Sequence, residues 1–347
     1  MLRLHEYRYH RPRALREALD LLAQEGALPI SGGTDLVPNM KHRLWTPEHL
    51  VALGRLPELR GVGWVDEGGT TCAEADAAGL AIGAATTLSE VAAYPLVRRS
   101  YPALATAAGA VAHPQIRNRG TLGGNLCLDT RCTYYNQSWF WRQALGFCLK
   151  KDGDVCHVTK VGKKCVAAHS ADTPPVLIAL GAEVDLVSAE GERTVTVEDF
   201  FIADGSWNQV RRPEEIVVRV RIPRPPPGQR SGYLKVRQRN AVDFPLLSIA
   251  LVAELEPDST VQAMSLVVSG LGARPRTVSG LAGVAVGKPL EEVGEAVAQQ
   301  ALKQSHPLEN MIVDTDWRRA MVLVHVRRLI GQLAAVENGG AGLTPTR

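Results

Sequence analysis

Aromatic side chains are scarce in this 347-residue sequence and make up 5% of it. There is accordingly little stacking surface for single-stranded nucleic acid. The formal net charge of +3 comes from dispersed lysines and arginines, so no basic patch for a duplex is visible. No apolar run reaches the roughly 18 residues of a transmembrane helix. These absences predict a protein that binds neither nucleic acid nor a membrane.

The chain also lacks an apolar signal stretch at its start, where charged and apolar residues alternate from Met1 to His10. We therefore expect a cytoplasmic location. Thiols stay reduced there, and grouped cysteines hold metal more often than they form disulfides.

Hydrophobic residues make up 45% of the chain and charged residues 22%, which is typical of globular domains, and the length suffices for two or three of them. Apolar periodicity predicts an amphipathic helix over 12–24 between two short strands. The proline cluster at 223–228 marks a domain boundary, because it continues neither a helix nor a central strand. Beyond it, paired strands over 247–255 and 261–269 precede helices over 290–304 and 316–336. Residues 337–347 have the composition of a flexible tail.

Four cysteines, Cys132, Cys148, Cys156 and Cys165, are separated by gaps of 16, 8 and 9 residues. Structural zinc sites usually present two tight Cys-x2-4-Cys pairs. Wide gaps are more typical of a loop wrapped around a larger object, such as a four-cysteine iron–sulfur cluster. Zinc and unligated or redox-active thiols stay open as alternatives.

Two further cysteines complete the set of six. Cys127 is an alternative ligand to Cys132, although its place directly after a glycine-rich run favours a small buried core residue. Cys72 stands alone and is interpreted as a structural thiol.

Two glycine-rich segments, Ser31-Gly-Gly-Thr-Asp35 and Gly120-Thr-Leu-Gly-Gly-Asn125, offer backbone N–H groups that can approach a phosphate closely. Neither matches the G-x-G-x-x-G or P-loop pattern, which disfavours a Rossmann or ATP site. Singly, each is more often a tight turn. Together, and next to the thiols, they predict a bound dinucleotide.

The run Ala112-His-Pro-Gln-Ile-Arg-Asn-Arg-Gly-Thr-Leu-Gly-Gly-Asn125, with Ile30-Ser-Gly-Gly-Thr-Asp-Leu36 upstream, resembles the FAD-binding subunits of the molybdenum hydroxylases. That family includes xanthine dehydrogenase, aldehyde oxidoreductase and CO dehydrogenase. The likeness continues through Asp172-Thr-Pro-Pro and Lys235-Val-Arg-Gln-Arg to Trp317-Arg-Arg-Ala, so it covers nearly the whole chain.

The resemblance implies an α+β fold with a two-lobed FAD-binding domain of the p-cresol methylhydroxylase type over residues 1–222. Its lobes would cover 1–56 and 57–222, with an iron–sulfur insertion at 127–167. A smaller α+β C-terminal domain would span 229–336.

The resemblance also implies which residues bind FAD. One glycine segment would wrap the pyrophosphate, and the other would hold the opposite side of the dinucleotide. Val111 would contact it, and Asp172 and Lys235 would make polar contacts, a surface ion pair being the alternative for these two. The segments comprise Pro29, Ile30, Ser31, Gly32, Gly33, Thr34, Asp35 and Leu36, and Gly120, Thr121, Leu122, Gly123, Gly124 and Asn125.

The cysteine loop itself resembles the branch of the family that comprises the 4-hydroxybenzoyl-CoA reductases. This implies that Cys132, Cys148, Cys156 and Cys165 bind a [4Fe-4S] cluster. Electrons would pass from reduced ferredoxin through the cluster and FAD to [2Fe-2S] centres in a small subunit and to molybdenum in a large subunit. There 4-hydroxybenzoyl-CoA would be dehydroxylated to benzoyl-CoA. Two copies of each subunit would form a heterohexamer, and this chain would contain no catalytic acid–base residue.

Competing functions stay open. A flavin subunit of an oxidative hydroxylase would pass electrons outward to NAD or a quinone. A zinc-stabilised binding module would have no redox role. An independent flavin oxidase is disfavoured, because no substrate-pocket motif is visible.

The cysteine loop is rich in lysine. An anionic cluster beside these residues would be stabilised in its reduced state, and the lysines would steer an acidic ferredoxin toward it. The alternative is that they only solvate an exposed loop. The lysines are Lys150, Lys151, Lys160, Lys163 and Lys164, against Asp152 and Asp154.

Overall fold

A computed structural model describes residues 2–159 and 162–336 of the chain. Its strands, numbered in chain order, are β1 (Arg8–His10), β2 (Ala27–Ile30), β3 (His49–Ala52), β4 (Val62–Val65), β5 (Gly79–Gly83), β6 (Glu183–Ser188), β7 (Gly191–Thr196), β8 (Ile216–Pro223), β9 (Arg230–Val236), β10 (Leu247–Leu255), β11 (Val261–Ser269) and β12 (Arg276–Thr277). Its helices are α1 (Leu15–Leu22), α2 (Leu36–Lys41), α3 (Leu88–Ala93), α4 (Pro95–Ser100), α5 (Pro102–Ala110), α6 (Pro114–Arg117), α7 (Leu122–Leu126), α8 (Trp139–Ala144), α9 (Thr173–Ala179), α10 (Val197–Phe200), α11 (Ala282–Ala285), α12 (Gly294–Lys303) and α13 (Thr315–Ala334).

The first sheet is parallel, with strand order β1-β3-β2. Parallel neighbours need a crossover, and α2 lies in the connection from β2 to its neighbour β3. Helix α1 lies in the connection from β1 to β2. The apolar face of α1, with Leu19 and Leu22, is buried, as the sequence predicted. Because β2 ends at Ile30, the chain leaves the carboxyl edge of this sheet at the first glycine segment.

The second sheet has five antiparallel strands in the order β4-β5-β8-β6-β7. Helices α3, α5 and α9 pack together at its buried face. Thr87 starts α3 with a capping box, in which its side chain accepts from the N–H of Glu90 and Glu90 reaches back. Helix α5 consists largely of alanine and glycine, which lets it approach α3 and β9 closely.

The third sheet, β12-β11-β10-β9, is antiparallel and lies between two layers of helices. Successive residues of β10 alternate between two cores: Ala250 and Val252 pack with the first domain, whereas Ile249 and Leu251 pack under α12 and α13. This explains why the centre of β10, Ile249 to Ala253, is an unbroken apolar run. The C-terminal sheet is therefore joined to the first domain through a shared core.

The structure bears out the predicted α+β organisation, with local differences. Helix α12 begins at Gly294 and not at Leu290; the N–H of Leu290 donates to the carbonyl of Ser259 at 3.0 Å. Within residues 2–159 and 162–336, no helix has the length and apolarity that a bilayer span requires. The predicted tail 337–347 and Lys160 lie outside the described residues.

Candidate cofactor-binding site

The two glycine segments, about ninety residues apart in sequence, touch each other. The hydroxyl of Thr121 donates to the Ser31 hydroxyl at 3.2 Å. A Cβ on Gly32 would overlap the backbone carbonyl of Arg119, so only glycine fits there. Gly33 has a φ of +71°, which other residues rarely adopt. These glycines allow the backbones of the two segments to approach closely. A tight turn within each segment does not by itself explain this contact.

The loop from Gly32 to Asp35 also presents free hydrogen-bond donors. In the described part of the chain, no protein acceptor lies within hydrogen-bond range of the N–H groups of Gly32, Gly33, Thr34 and Asp35. Half-buried amide donors without a protein partner require another acceptor. Successive backbone N–H groups of this kind form an anion-binding concavity.

A cavity of about 520 Å³ lies over these segments. Most of the predicted FAD residues line it: Pro29, Ile30, Ser31, Gly32, Gly33, Thr34, Asp35, Leu36, Val111, Gly120, Thr121, Gly124, Asn125 and Asp172. Its size and its mixture of apolar walls with a few polar groups are typical of a cofactor pocket.

Three predicted residues do not line this cavity. Leu122, the first residue of α7, is fully buried in the core. Gly123 packs against Ala84, whose Cβ would lie 2.7 Å from an added methyl group, and it borders a smaller neighbouring cavity of about 110 Å³. Lys235 lies behind Asp172 and reaches the cavity only through that carboxylate.

Asp172 and Lys235 form a buried ion pair, with both side chains 4% exposed, so the surface ion-pair alternative is wrong. The Lys235 ammonium donates to the Asp172 carboxylate at 2.9 Å and to the carbonyl of Ala110 at 3.1 Å. Tyr233 donates to the other carboxylate oxygen at 2.6 Å. Burial raises the pKa of the Asp172 carboxyl, and the Lys235 charge opposes that shift. The pair ties β9 of the third sheet to the cavity wall.

Sequence reasoning missed several cavity residues. Arg131 forms an ion pair with Asp35, and its guanidinium lies 4.7 Å from the centre of the Phe244 ring. Asp129 lies beside them, and its N–H approaches Asp35 at 3.4 Å. The polar lead-in Asp129-Thr-Arg131 was the available signal. The loop at 206–211 also contributes, and it has no recognisable pattern.

The four predicted cluster cysteines lie together. Cys132, Cys148, Cys156 and Cys165 line one small cavity inside the insertion. Within residues 2–159 and 162–336, no three His, Cys, Asp or Glu side chains are placed to hold a single metal ion. As the described residues lie, these thiols therefore do not form a tetrahedral zinc site.

Backbone N–H groups lie near three of the sulfur atoms. The Ala167 N–H donates to the Cys165 sulfur at 3.4 Å. The amides of Tyr134 and Tyr135 oppose the rise that burial causes in the pKa of the Cys132 thiol, and those of Val158, Thr159 and Val166 lower the pKa of the Cys156 thiol. Hydrogen bonds to sulfur are one of the means by which proteins tune iron–sulfur centres. The donor set and its amide surroundings fit a four-thiolate cluster.

The thiol pKa values reflect a balance between burial, which raises them, and nearby hydrogen bonds or positive charge, which lower them. Burial raises the pKa of Cys165 to about 11, opposed by the Ala167 N–H and the charge of Lys150. Burial also raises the pKa of Cys132. For Cys156, burial is outweighed by hydrogen bonds from Thr159 and nearby amides, which bring the thiol pKa below its ordinary value.

The insertion is closed at its base and clasped from the C-terminal domain. Arg131 and Ala168 exchange two backbone hydrogen bonds of 2.8 and 2.6 Å. Asn310, fully buried, accepts from the N–H of Thr133 at 3.0 Å and donates to the carbonyl of Val166 at 2.7 Å. The segments after the first and the last cysteine are thereby held together.

One sequence interpretation is confirmed and one needs correction. Cys127 packs against the core of the first domain, as the sequence favoured. It also borders the large cavity and its smaller neighbour, and it does not line the thiol cavity. Lys150 is not an exposed loop lysine, because its side chain is 2% exposed. Lys163 and Lys164 are exposed, as predicted.

Comparison with known proteins decides the family. Residues 5–225 match the FAD binding domain in molybdopterin dehydrogenase, and residues 232–333 match the CO dehydrogenase flavoprotein C-terminal domain. The chain is an FAD-binding subunit of the molybdenum hydroxylase family. The predicted FAD cofactor and fold class are therefore confirmed.

Individual members of the molybdenum hydroxylase family align over most of the chain. The aldehyde oxidoreductase FAD-binding subunit of Escherichia coli is 32% identical over 84% of this chain and 87% of its own length. The carbon monoxide dehydrogenase medium chain of Hydrogenophaga pseudoflava is 29% identical over 93% and 96%. A solved structure of carbon monoxide dehydrogenase from that organism superposes with a TM-score of 0.76, at 26% identity over 96% of this chain and 99% of that chain.

Proposed function

We propose that this chain is the FAD- and [4Fe-4S]-containing electron-transfer subunit of a molybdenum enzyme that reductively dehydroxylates a phenolic acyl-CoA thioester, as 4-hydroxybenzoyl-CoA reductases do. One observation carries the proposal. Four thiols from separate parts of the insertion line one cavity, and that cavity lies next to the FAD pocket.

Different residues of the FAD pocket bind different parts of the cofactor. The free N–H groups of Gly32 to Asp35 bind the pyrophosphate, and the Arg131 guanidinium offsets the charge of Asp35 beside it. Asp172, held by Tyr233 and Lys235, accepts from hydroxyl groups of the ribityl or ribose part. FAD supplies an exchange point between one-electron and two-electron carriers.

The insertion supplies the second redox site. Cys132, Cys148, Cys156 and Cys165 hold the cluster, and the surrounding amides stabilise their thiolate charge. The cluster supplies one-electron transfer. The absence of a recognisable acid–base motif agrees with a chain whose chemistry belongs to its cofactors.

The FAD pocket and the thiol cavity are connected by a short stretch of chain. Asp129 lines the FAD pocket and Cys132 lines the thiol cavity. Since an extended chain spans at most about 3.6 Å per residue, their Cα atoms lie no more than about 11 Å apart. A short connection of this kind suits electron transfer between the sites.

The proposed partners follow from the relatives. Those named carbon monoxide dehydrogenase medium chain and nicotine 6-hydroxylase medium subunit are by name one subunit of several. We place this chain with a large molybdenum-cofactor subunit and a small [2Fe-2S] subunit, two copies of each, in the cytoplasm. Reduced ferredoxin donates two electrons in sequence. With two protons they replace the phenolic hydroxyl by hydrogen and release it as water.

A second candidate keeps the same subunit and reverses the electron flow. The same named relatives are a dehydrogenase and a hydroxylase, which oxidise their substrates by name. In that case electrons leave through FAD to NAD or a quinone, and the cluster serves as an exit route.

Metal and flavin analysis of the anaerobically purified enzyme tests the proposal. We expect about four irons, four sulfides and one FAD per copy of this chain, in addition to the iron of the small subunit. A Cys156→Ala variant should lose that iron and keep FAD, whereas the matched Cys72→Ala variant should keep both. FAD with zinc or no iron in this chain would refute the cluster. A cluster potential above that of FAD would favour the oxidative candidate.

A further inference from the structure

Lys150 is a buried lysine in the middle of the cysteine insertion, two residues after Cys148. Its side chain is 2% exposed, and its ammonium donates to the Asp129 carboxylate at 2.6 Å and to the Gly205 carbonyl at 2.8 Å. It also donates to the Thr130 hydroxyl. The charge is therefore fully coordinated by protein oxygens and held in one position.

This lysine lies between the two cavities. Lys150 borders the thiol cavity, whereas its partner Asp129 borders the FAD pocket. Tyr135, another wall residue of the thiol cavity, donates to Asp129 at 2.8 Å, and its ring centre lies 4.3 Å from the Lys150 ammonium. The three side chains form a hydrogen-bonded bridge from one redox site to the other.

Fixed charge at this position has a definite electrostatic effect. Burying an ammonium is costly unless it is paired, and a methionine of similar length would fill the space without that cost. Reduction adds negative charge to a four-thiolate cluster. A fixed positive charge in a low-dielectric wall favours the reduced form, and a fixed carboxylate opposes it.

We propose that Lys150 is the positioning residue that raises the reduction potential of the [4Fe-4S] cluster, and that its Asp129 partner balances this effect and couples it to charge in the FAD pocket. The inference rests on the proposed function. Lys150 thus adjusts the reduction potential of the cluster to that of the flavin. The exposed lysines of the insertion instead affect the rate of encounter with a donor.

The alternative is that Lys150 has only a structural role, in which it ties the middle of the insertion to Thr130 at its base and to Gly205. The two interpretations predict different shifts of the cluster potential. A structural tie predicts that removing either partner loosens the insertion without moving the potential in a charge-dependent direction. An electrostatic role predicts shifts of opposite sign for Lys150→Met and Asp129→Asn.

The test is an EPR-monitored redox titration of the assembled enzyme, with iron, sulfide and FAD measured per chain. In Lys150→Met we expect the oxidised-to-reduced equilibrium of the cluster to move at least tenfold toward oxidised, about 59 mV for one electron. Asp129→Asn should move it toward reduced. Lys150→Arg, which keeps the charge, should restore most of the wild-type value. The matched control is Lys151→Met, whose side chain is 32% exposed and pairs with Asp152 at 3.3 Å; its potential should not change.

The outcomes separate the two proposals. A wild-type chain without iron would refute the proposed function and this inference with it. Iron-loaded Lys150→Met with an unchanged potential would overturn the inference alone. If Lys150→Met does not retain iron, Asp129→Asn decides: a shift toward reduced supports the inference, and no shift or the opposite shift overturns it.

Discussion

Asn310 of the C-terminal domain donates a 2.7 Å hydrogen bond to the carbonyl of Val166, the residue directly after Cys165. The side-chain oxygen of Asn310 lies 3.5 Å from the guanidinium of Arg318, which is also fully buried. The residue that follows the last thiol of the insertion is thus held by a residue 144 positions further along the chain. The segment between α12 and α13 therefore holds Val166, a wall residue of the thiol cavity, in place.

Replacing this clasp should destabilise the cluster selectively. In Asn310→Ala, Val166 and Arg318 lose a buried partner, at a cost of about 1–3 kcal/mol. We expect iron to be lost several-fold faster in air, while FAD is retained, since the FAD pocket does not include Asn310. The measurement follows the release of iron and the release of flavin over time and compares their rates. Gln299→Ala, exposed on α12, is the control, and equal iron loss in the two variants would contradict the clasp.

Gly32→Ala should weaken FAD binding at least tenfold. The added methyl group overlaps the Arg119 carbonyl and forces the two glycine segments apart. Flavin absorbance per chain and an FAD titration of the stripped protein measure the effect. Gly331→Ala in α13 is the matched control, because its methyl group would meet nothing within 4 Å. That control should bind FAD normally and gain about 0.5–1 kcal/mol of stability. Normal FAD binding by Gly32→Ala would contradict the proposed packing.

His169 should make the unfolding free energy depend on pH. Burial lowers its pKa to about 3, and its Nδ1 is 2.8 Å from the Ser269 hydroxyl. Between about pH 6.5 and pH 3 the unfolded chain binds a proton that the folded chain does not, so stability falls as the pH falls. This group alone contributes up to about 1.4 kcal/mol per pH unit.

His169→Asn keeps an acceptor or donor at the Nδ1 position and removes the titration. Denaturant unfolding at several pH values should therefore show a shallower acid-side decline for this variant than for the wild type. His306→Asn, at an exposed position, is the control and should follow the wild-type slope. Parallel curves for His169→Asn and the wild type would show that this histidine does not contribute.

Charge reversal at Lys163 and Lys164, both exposed, should slow ferredoxin-dependent reduction in a salt-sensitive way. The deficit should be largest at low ionic strength and shrink as salt screens the encounter. Stopped-flow reduction of the assembled enzyme measures it, with dithionite as a donor whose rate should change less. An unchanged rate with ferredoxin at low salt would remove the idea.

Local chemistry made much of the fold predictable. The helix predicted over 12–24 depends on apolar residues within a few turns of one another, and the structure contains it as α1. The glycine segments were predictable because a position without a Cβ is visible in the sequence. Cys127 was predictable in part: it packs against the core as its neighbours suggest, and its place at the end of α7 also brings it to the cavity wall.

The burial of charged residues was not predictable. Lys150 belongs to a run of lysines that is typical of an exposed loop, yet its acceptors at Asp129, Thr130 and Gly205 lie at least 20 residues away along the chain. Arg131 and Asp35 are 96 residues apart and meet only because the first sheet and the insertion share a cavity. Ion pairs over such separations leave no periodic signal in a single sequence.

By itself, the sequence determined the backbone freedom at the glycines, the apolar faces of the strands and helices, and the supply of four thiols in one segment, because each depends on residues near one another in the chain. Only the tertiary structure decided that the two glycine segments touch, that the thiols share a cavity, and that Lys150 and Asn310 are buried against them. Those contacts form when packing brings distant segments together and removes water from between them.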